Sequence, residues 1–202
     1  MLSAKRQFDE SMSRVNELDS LFTHLNTTLR FPSASISDLL RSEVVYSVSA
    51  LDKLIHELVK EGMVEIFLLR RPRTSAYSKF PLTLDIVNNI NLGVIPPELV
   101  FARHISESHR HLSFQDPDKI SSILPLIWAE PHKWQTIALA MGLTEADVKT
   151  KLKNIVIRRN QIVHESDLDL STGDIQPISQ TDVRDIVQFI VLLGNTIFSL
   201  VA

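Results

Sequence analysis

Apolar residues recur at steps of three and four along most of the chain, the spacing that lines one face of an α-helix. Phe8, Met12, Val15, Leu18, Phe22, Leu25 and Leu29 form the first stripe and predict one long helix. Phe31-Pro32 ends it, because proline disfavours helical backbone in the residue before it. After the loop SASIS, Ser37 is expected to cap a second helix, with Asp38 near its positive end. Leu40, Val44, Val48, Leu51, Ile55 and Leu58 give that helix its inner stripe, to about Gly62 or, bent, toward Leu69. The basic stretch RRPRTSAYSKFP reads as a loop. Short helices are expected over residues 82–91, stopped by Gly93, and from Pro96-Pro97 to about residue 108. Asp116 before Pro117 suits a further helix start, with Pro125 shortening or kinking the helix. Residues 133–141 form another short helix, ended by Gly142. Thr144 caps the helix after it, and Thr181 is expected to cap the last, over residues 182–200. No strand-like alternation persists, so the fold class is all-α, one compact bundle with a variable middle.

The composition narrows the classes. A chain of 202 residues fits one domain, and 44% hydrophobic residues supply a sizeable core. The absence of cysteine excludes disulfides and thiolate metal sites. The N-terminus MLSAKRQFDE is charged and lacks the apolar core of a secretory signal. The most apolar segment, residues 186–201, carries Gln188, Gly194, Asn195 and Ser199. It is expected to be a buried terminal helix rather than a membrane span, and the chain to be cytoplasmic. A net charge of −3 argues against broad coating of DNA. It leaves room for a local basic patch, and Lys149, Lys151, Lys153, Arg158 and Arg159 follow one another with no acid among them.

That patch ends in RRNQIVH, residues 158–164. The apolar stripe of its helix is Val148, Leu152 and Ile155, and the next position on it is Arg159. A guanidinium there is at least partly buried. It therefore needs either a carboxylate opposite or a cleft built for an anion. Glu43 and Asp52 on the second helix are both placed to answer it, and the sequence does not choose between them. Asn160 and His164, four apart, share a helix face. Arg159 lies on the adjoining face and can flank the same bound phosphate. A charged fork, an amide and an imidazole together are what phosphodiester cleavage without a metal requires. The same residues also fit a plain helix C-terminus carrying its usual cations.

RRNQIVH resembles the R-N-x-x-x-H signature of HEPN domains. The flanks are similar too: an amphipathic helix before it, an acidic loop (ESDLDLSTGD) after it and one apolar helix to close. Residues 134–164 resemble the corresponding region of the RiboL-PSP branch, and residues 41–58 resemble that branch's early helix. The resemblance implies a single HEPN-type helical domain over 1–202, with an extra helical or loop insertion at about 70–116. It also implies a metal-independent endoribonuclease of a toxin or antiviral defence system, with Arg159, Asn160 and His164 as catalytic residues. It implies an RNA substrate, a homodimer with a composite site, a possible antitoxin or defence-system partner protein, and no cofactor. Some HEPN domains are noncatalytic scaffolds that bind a nucleotide or a protein, which is the alternative reading.

Other signals compete. Arg103-His104 and His109 repeat the motif's elements at one residue wider spacing, but the polar context RHISESHRH reads as a solvated surface. No histidine pair spaced i, i+4 with a nearby acid points to zinc. Ala138, Gly142 and Val148 have helix-turn-helix spacing, a third reading as a DNA-binding regulator. Glu145 and Asp147 at the start of its second helix would repel phosphates. Asp52 and His56 read as an exposed helical pair, Trp128 and Trp134 as packing residues. Arg70, Arg71, Arg73 and Tyr77 are minor candidates for RNA contact.

Overall fold

The computed structural model describes residues 1–169 and 171–202; Leu170, in the acidic loop after the motif, lies outside the described residues. Eight α-helices carry the described fold: α1 (Leu2–Thr23), α2 (Ser37–Phe67), α3 (Leu84–Leu92), α4 (Pro97–His109), α5 (Pro117–Ile123), α6 (Lys133–Met141), α7 (Glu145–His164) and α8 (Gln180–Val201). The extended pairing found among the described residues is one antiparallel bridge, between Leu168 and Ile175.

The long α2 is the axis of the bundle. Its buried residues include Leu40, Val44, Val48, Leu51, Leu54, Ile55, Leu58, Val59 and Met63, two adjoining stripes rather than one. A helix apolar on so much of its girth must be enclosed, and α1, α4, α7 and α8 enclose it. α1 brings the single stripe Ala4, Phe8, Met12 and Val15 against α2. α8 lies on α2, α6 and α1, so close to α1 that a Cβ at Gly194 would stand 2.6 Å from the Phe8 ring. α8 is long and apolar enough to cross a membrane, with a mean hydropathy of 1.5 in its most apolar window. Val183, Val187, Ile190, Leu193 and Ile197 bury its apolar face in the bundle. α3 stands apart: it rests chiefly on α4, and none of its residues is buried.

Local chemistry sets the helix ends. Thr144 accepts from the Asp147 amide and caps α7, Asp116 caps α5, and Gly93 and Gly142 end α3 and α6 in the left-handed conformation. Three expectations need correction. The first helix gives way after Thr23 to a π-helical turn, His24–Thr28, so Leu29 leaves the stripe and is exposed. Ser37 does not cap α2, because a 3-10 turn over Ser33–Ile36 runs directly into that helix. The Ser37 hydroxyl donates to the Ala34 carbonyl instead, at 2.9 Å. The cap of α8 is Ser179 rather than Thr181. Ser179 has the extended backbone a cap requires, its oxygen accepts from the Asp182 amide at 3.1 Å, and its hydroxyl donates to the Asp182 carboxylate at 2.6 Å.

Candidate functional site

The motif occupies the last two turns of α7. Val148, Leu152 and Ile155 are buried on α7, which packs against α2 and α6. That packing fixes which way the following turns face. Arg159 continues the buried stripe and is half-buried, while Asn160 and His164 are exposed. The Arg159 Nη1 donates to the Asn160 Oδ1 at 3.1 Å. Its Nε is buried and without a hydrogen-bond partner among the described residues. No carboxylate pairs with Arg159 among the described residues, so part of its donor fork is uncommitted.

Neither acid weighed from the sequence answers it. Asp52 accepts from the Phe114 amide, and its Oδ1 lies 4.0 Å from the His56 ring, on the α4 side of the molecule. Glu43 is buried and faces Asp19 of α1 and Arg184 of α8. Neither of its carboxylate oxygens has a hydrogen-bond partner among the described residues. Burial raises its pKa to about 7; the nearby Asp19 charge adds to the rise and Arg184 opposes it.

The two consecutive arginines have opposite fates. Arg158 pairs with Asp167: Nη2 donates to Oδ2 at 2.9 Å, and Nη1 lies 2.8 Å from Oδ1 as an ion pair without hydrogen-bond geometry. It also reaches the Gln176 side chain and, at 3.1 Å, the Pro177 carbonyl. Arg41 of α2 meets the same carboxylate, Nε to Oδ2 at 2.7 Å, and donates to Ser37 and to the Gln176 carbonyl. Asp167 is 1% exposed. Sequence reasoning missed it, because one acid in an acidic loop carries no mark of burial. The signal available was the doubled arginine, which requires a counter-charge for whichever of the two turns inward.

Beside the end of the motif, α2 and the loop after α7 enclose a hollow of about 360 Å³ bordered by Tyr46, Ile162, Ser166 and Ile175. Val163 and Ile157 on α7, Tyr46 on α2 and Ile175 in the loop are all 45% exposed or more. Exposed apolar side chains thus occur on the same stretch of α7 as the exposed motif residues Asn160 and His164. The residues themselves offer an anion clamp, an amide and an acid–base group within a short span. Among the described residues no group of three or more histidine, aspartate or glutamate side chains is placed to hold a metal.

The competing signals fall elsewhere. His109 is buried, a correction to the solvated surface expected there: it packs edge-on against Phe80 and Phe114. Burial pulls its pKa down to about 4, and neighbouring His56, His104 and His111 add to the fall. His104 contacts the Pro81 carbonyl at 3.1 Å. Arg103 lies apart from His109 on the α3 side, lining a second hollow with Ile86 and Val94. Trp134 is core, its indole donating to the Pro117 carbonyl at 3.1 Å. Arg71 pairs with Glu65 at 3.6 Å, and Tyr77 packs against Phe101, which ties both to the fold.

No curated protein and no solved structure matches the chain. The model of the RiboL-PSP-HEPN family matches residues 9–202, nearly the whole sequence and every helix that positions the motif. The chain belongs to the RiboL-PSP-HEPN family.

Proposed function

We propose that this protein is an endoribonuclease that cleaves RNA without a metal, using Arg159, Asn160 and His164. The observation that carries the reading is the division between the two arginines. Arg158 is spent on a buried carboxylate, whereas Arg159 has no carboxylate partner among the described residues and only the exposed Asn160 side chain takes up one of its donors. A guanidinium half-sunk in an apolar stripe and left without a counter-ion favours an anion.

In the proposed reaction the neutral imidazole of His164 takes the proton of an RNA 2′-hydroxyl as that oxygen attacks the adjacent phosphorus. Arg159 stabilises the charge that builds on the non-bridging oxygens. Asn160, which already accepts from Arg159, holds the guanidinium in place. The bond to the 5′-oxygen breaks, and a protonated imidazole supplies the leaving oxygen's proton. A second copy of His164, from a symmetric dimer, supplies that acid. Exposed apolar side chains on α7, α2 and the loop after α7, namely Val163, Ile157, Tyr46 and Ile175, support such a contact. The products are a 2′,3′-cyclic phosphate and a 5′-hydroxyl. The same proposal puts the enzyme in a toxin or antiviral setting, with an inhibitor or system partner to restrain the activity.

The test is cleavage of single-stranded RNA in excess EDTA by the wild type and by His164→Ala. The reading expects metal-independent cleavage in the first and its loss in the second. Equal activity in the two, or activity abolished by EDTA, rejects it. RNA or nucleotide binding without cleavage would establish the scaffold alternative.

A further inference from the structure

We propose that Asp167 is a positioning residue for the motif: by clamping Arg41 and Arg158 it fixes the last turn of α7 and so the direction of Arg159 and His164. The proposal rests on the ribonuclease reading for its catalytic consequence, but the clamp itself does not.

Three features converge on this side chain. First, it is buried and carries two guanidiniums, one from α2 and one from α7. It therefore ties the end of the motif helix to the axis of the bundle. Second, its backbone closes on the motif. The Asp167 amide donates to the Gln161 carbonyl at 3.0 Å, and the Asp167 carbonyl accepts from the Gln176 amide at 2.8 Å. Third, Ser166 and Asp167 are both left-handed, with φ of 55° and 57°, immediately beyond the helix end. Non-glycine residues resist that conformation, and two in succession need an outside constraint. The sequence ESDLD offers no glycine there. The ion triad supplies the constraint.

Removing the carboxylate would leave the buried Arg41 guanidinium and the partly buried Arg158 guanidinium facing each other, so the loop would swing outward and the last turn of α7 would fray. His164 is the final residue of that helix and Arg159 the neighbour of a clamped residue. Both would then sample many orientations. Such a change slows the chemical step more than it weakens capture of the RNA chain.

Two substitutions separate the clamp from the turn. Asp167→Gly accommodates the left-handed backbone freely but abolishes the ion triad. Asp167→Asn keeps the shape, tolerates the left-handed backbone and loses only the charge, and it serves if the glycine variant does not fold. We expect kcat for RNA to fall by about tenfold or more in either variant, with KM changed by less than about threefold. We also expect amide hydrogen exchange in residues 158–166 to accelerate while α2 and α8 keep their protection. Wild-type kcat with wild-type exchange overturns the proposal, as does a loss of protection spread over the whole fold. If the wild type itself cleaves no RNA, the ribonuclease reading fails and the exchange comparison alone judges the clamp.

Discussion

At the residue scale, each titratable side chain is governed by what its helix neighbours do with its charge. Glu43 and His109 are both buried, with opposite consequences for stability. Glu43 holds its proton in the fold up to about pH 7, whereas an unperturbed glutamate loses it at about 4.5. Between these values the unfolded chain is ionised and the folded one is not, so stability falls as pH rises. The limiting slope is about 1.4 kcal/mol per pH unit. His109 behaves oppositely: it stays neutral in the fold down to about pH 4, whereas an unperturbed histidine takes up its proton at about 6.5. There the unfolded chain holds the extra proton, and stability is lost as pH falls. The two slopes oppose one another from about pH 4.5 to 6.5. Thermal melts of Glu43→Gln should therefore show stability rising with pH across that window, and melts of His109→Gln should show it falling. Parallel profiles for the two variants would contradict the assignment. His164 and Asn160, being exposed, should behave differently. Their replacement by alanine is expected to shift stability by less than about 0.5 kcal/mol while abolishing RNA cleavage, as melting and gel assays run side by side will reveal.

At the scale of elements, helix boundaries and close contacts matter most. The cap of α7 is a reciprocal pair in which Thr144 accepts from the Asp147 amide and donates to its carboxylate at 2.6 Å. Thr144→Ala should cost about 1 kcal/mol by chemical denaturation and loosen the start of the motif helix. The crossing of α1 and α8 is less forgiving. Phe8 is 2% exposed, its ring lies where a Cβ at Gly194 would stand, and Leu54 lies on the other side at 3.2 Å. Gly194→Ala gains helix propensity but overpacks the core, and the second effect wins. A net loss of about 1–3 kcal/mol is expected, and an unchanged or higher Tm would show that the two helices separate easily.

At the scale of the molecule, the motif residues Asn160, Val163 and His164 are exposed on the surface of the chain. Val163 lies within the motif and is 45% exposed. A carboxylate at that position should prevent two copies from meeting without disturbing the core. The proposed dimeric site predicts that Val163→Glu is monomeric by light scattering and cleaves RNA at least tenfold more slowly, its helix content unchanged. A fully active monomer would confine the chemistry to one chain. The peripheral α3 belongs to the same scale: Leu84 and Leu92 on it are each more than 70% exposed. Nothing in the fold explains so many apolar residues on a helix held chiefly by α4.

What could be read in the residues was governed by local rules. The helices over 97–109, 133–141 and 145–164 follow from spacing, proline, glycine and hydroxyl caps, which act within a few residues. The motif was legible for the same reason, since its three side chains lie within six consecutive positions. Its likeness to one family also proved general, because the family model spans residues 9–202. Partners distant in sequence were not legible. Arg41 and Asp167 stand 126 positions apart and meet only once α2 and α7 have packed. The choice between Glu43 and Asp52 could not be settled from spacing either, because each turned toward a different neighbour when the bundle closed. The sequence by itself determined the helices and the chemistry carried on α7. The tertiary structure decided which arginine is neutralised and which has no carboxylate partner among the described residues, because burial and counter-charge are properties of packed surfaces and not of neighbours along the chain.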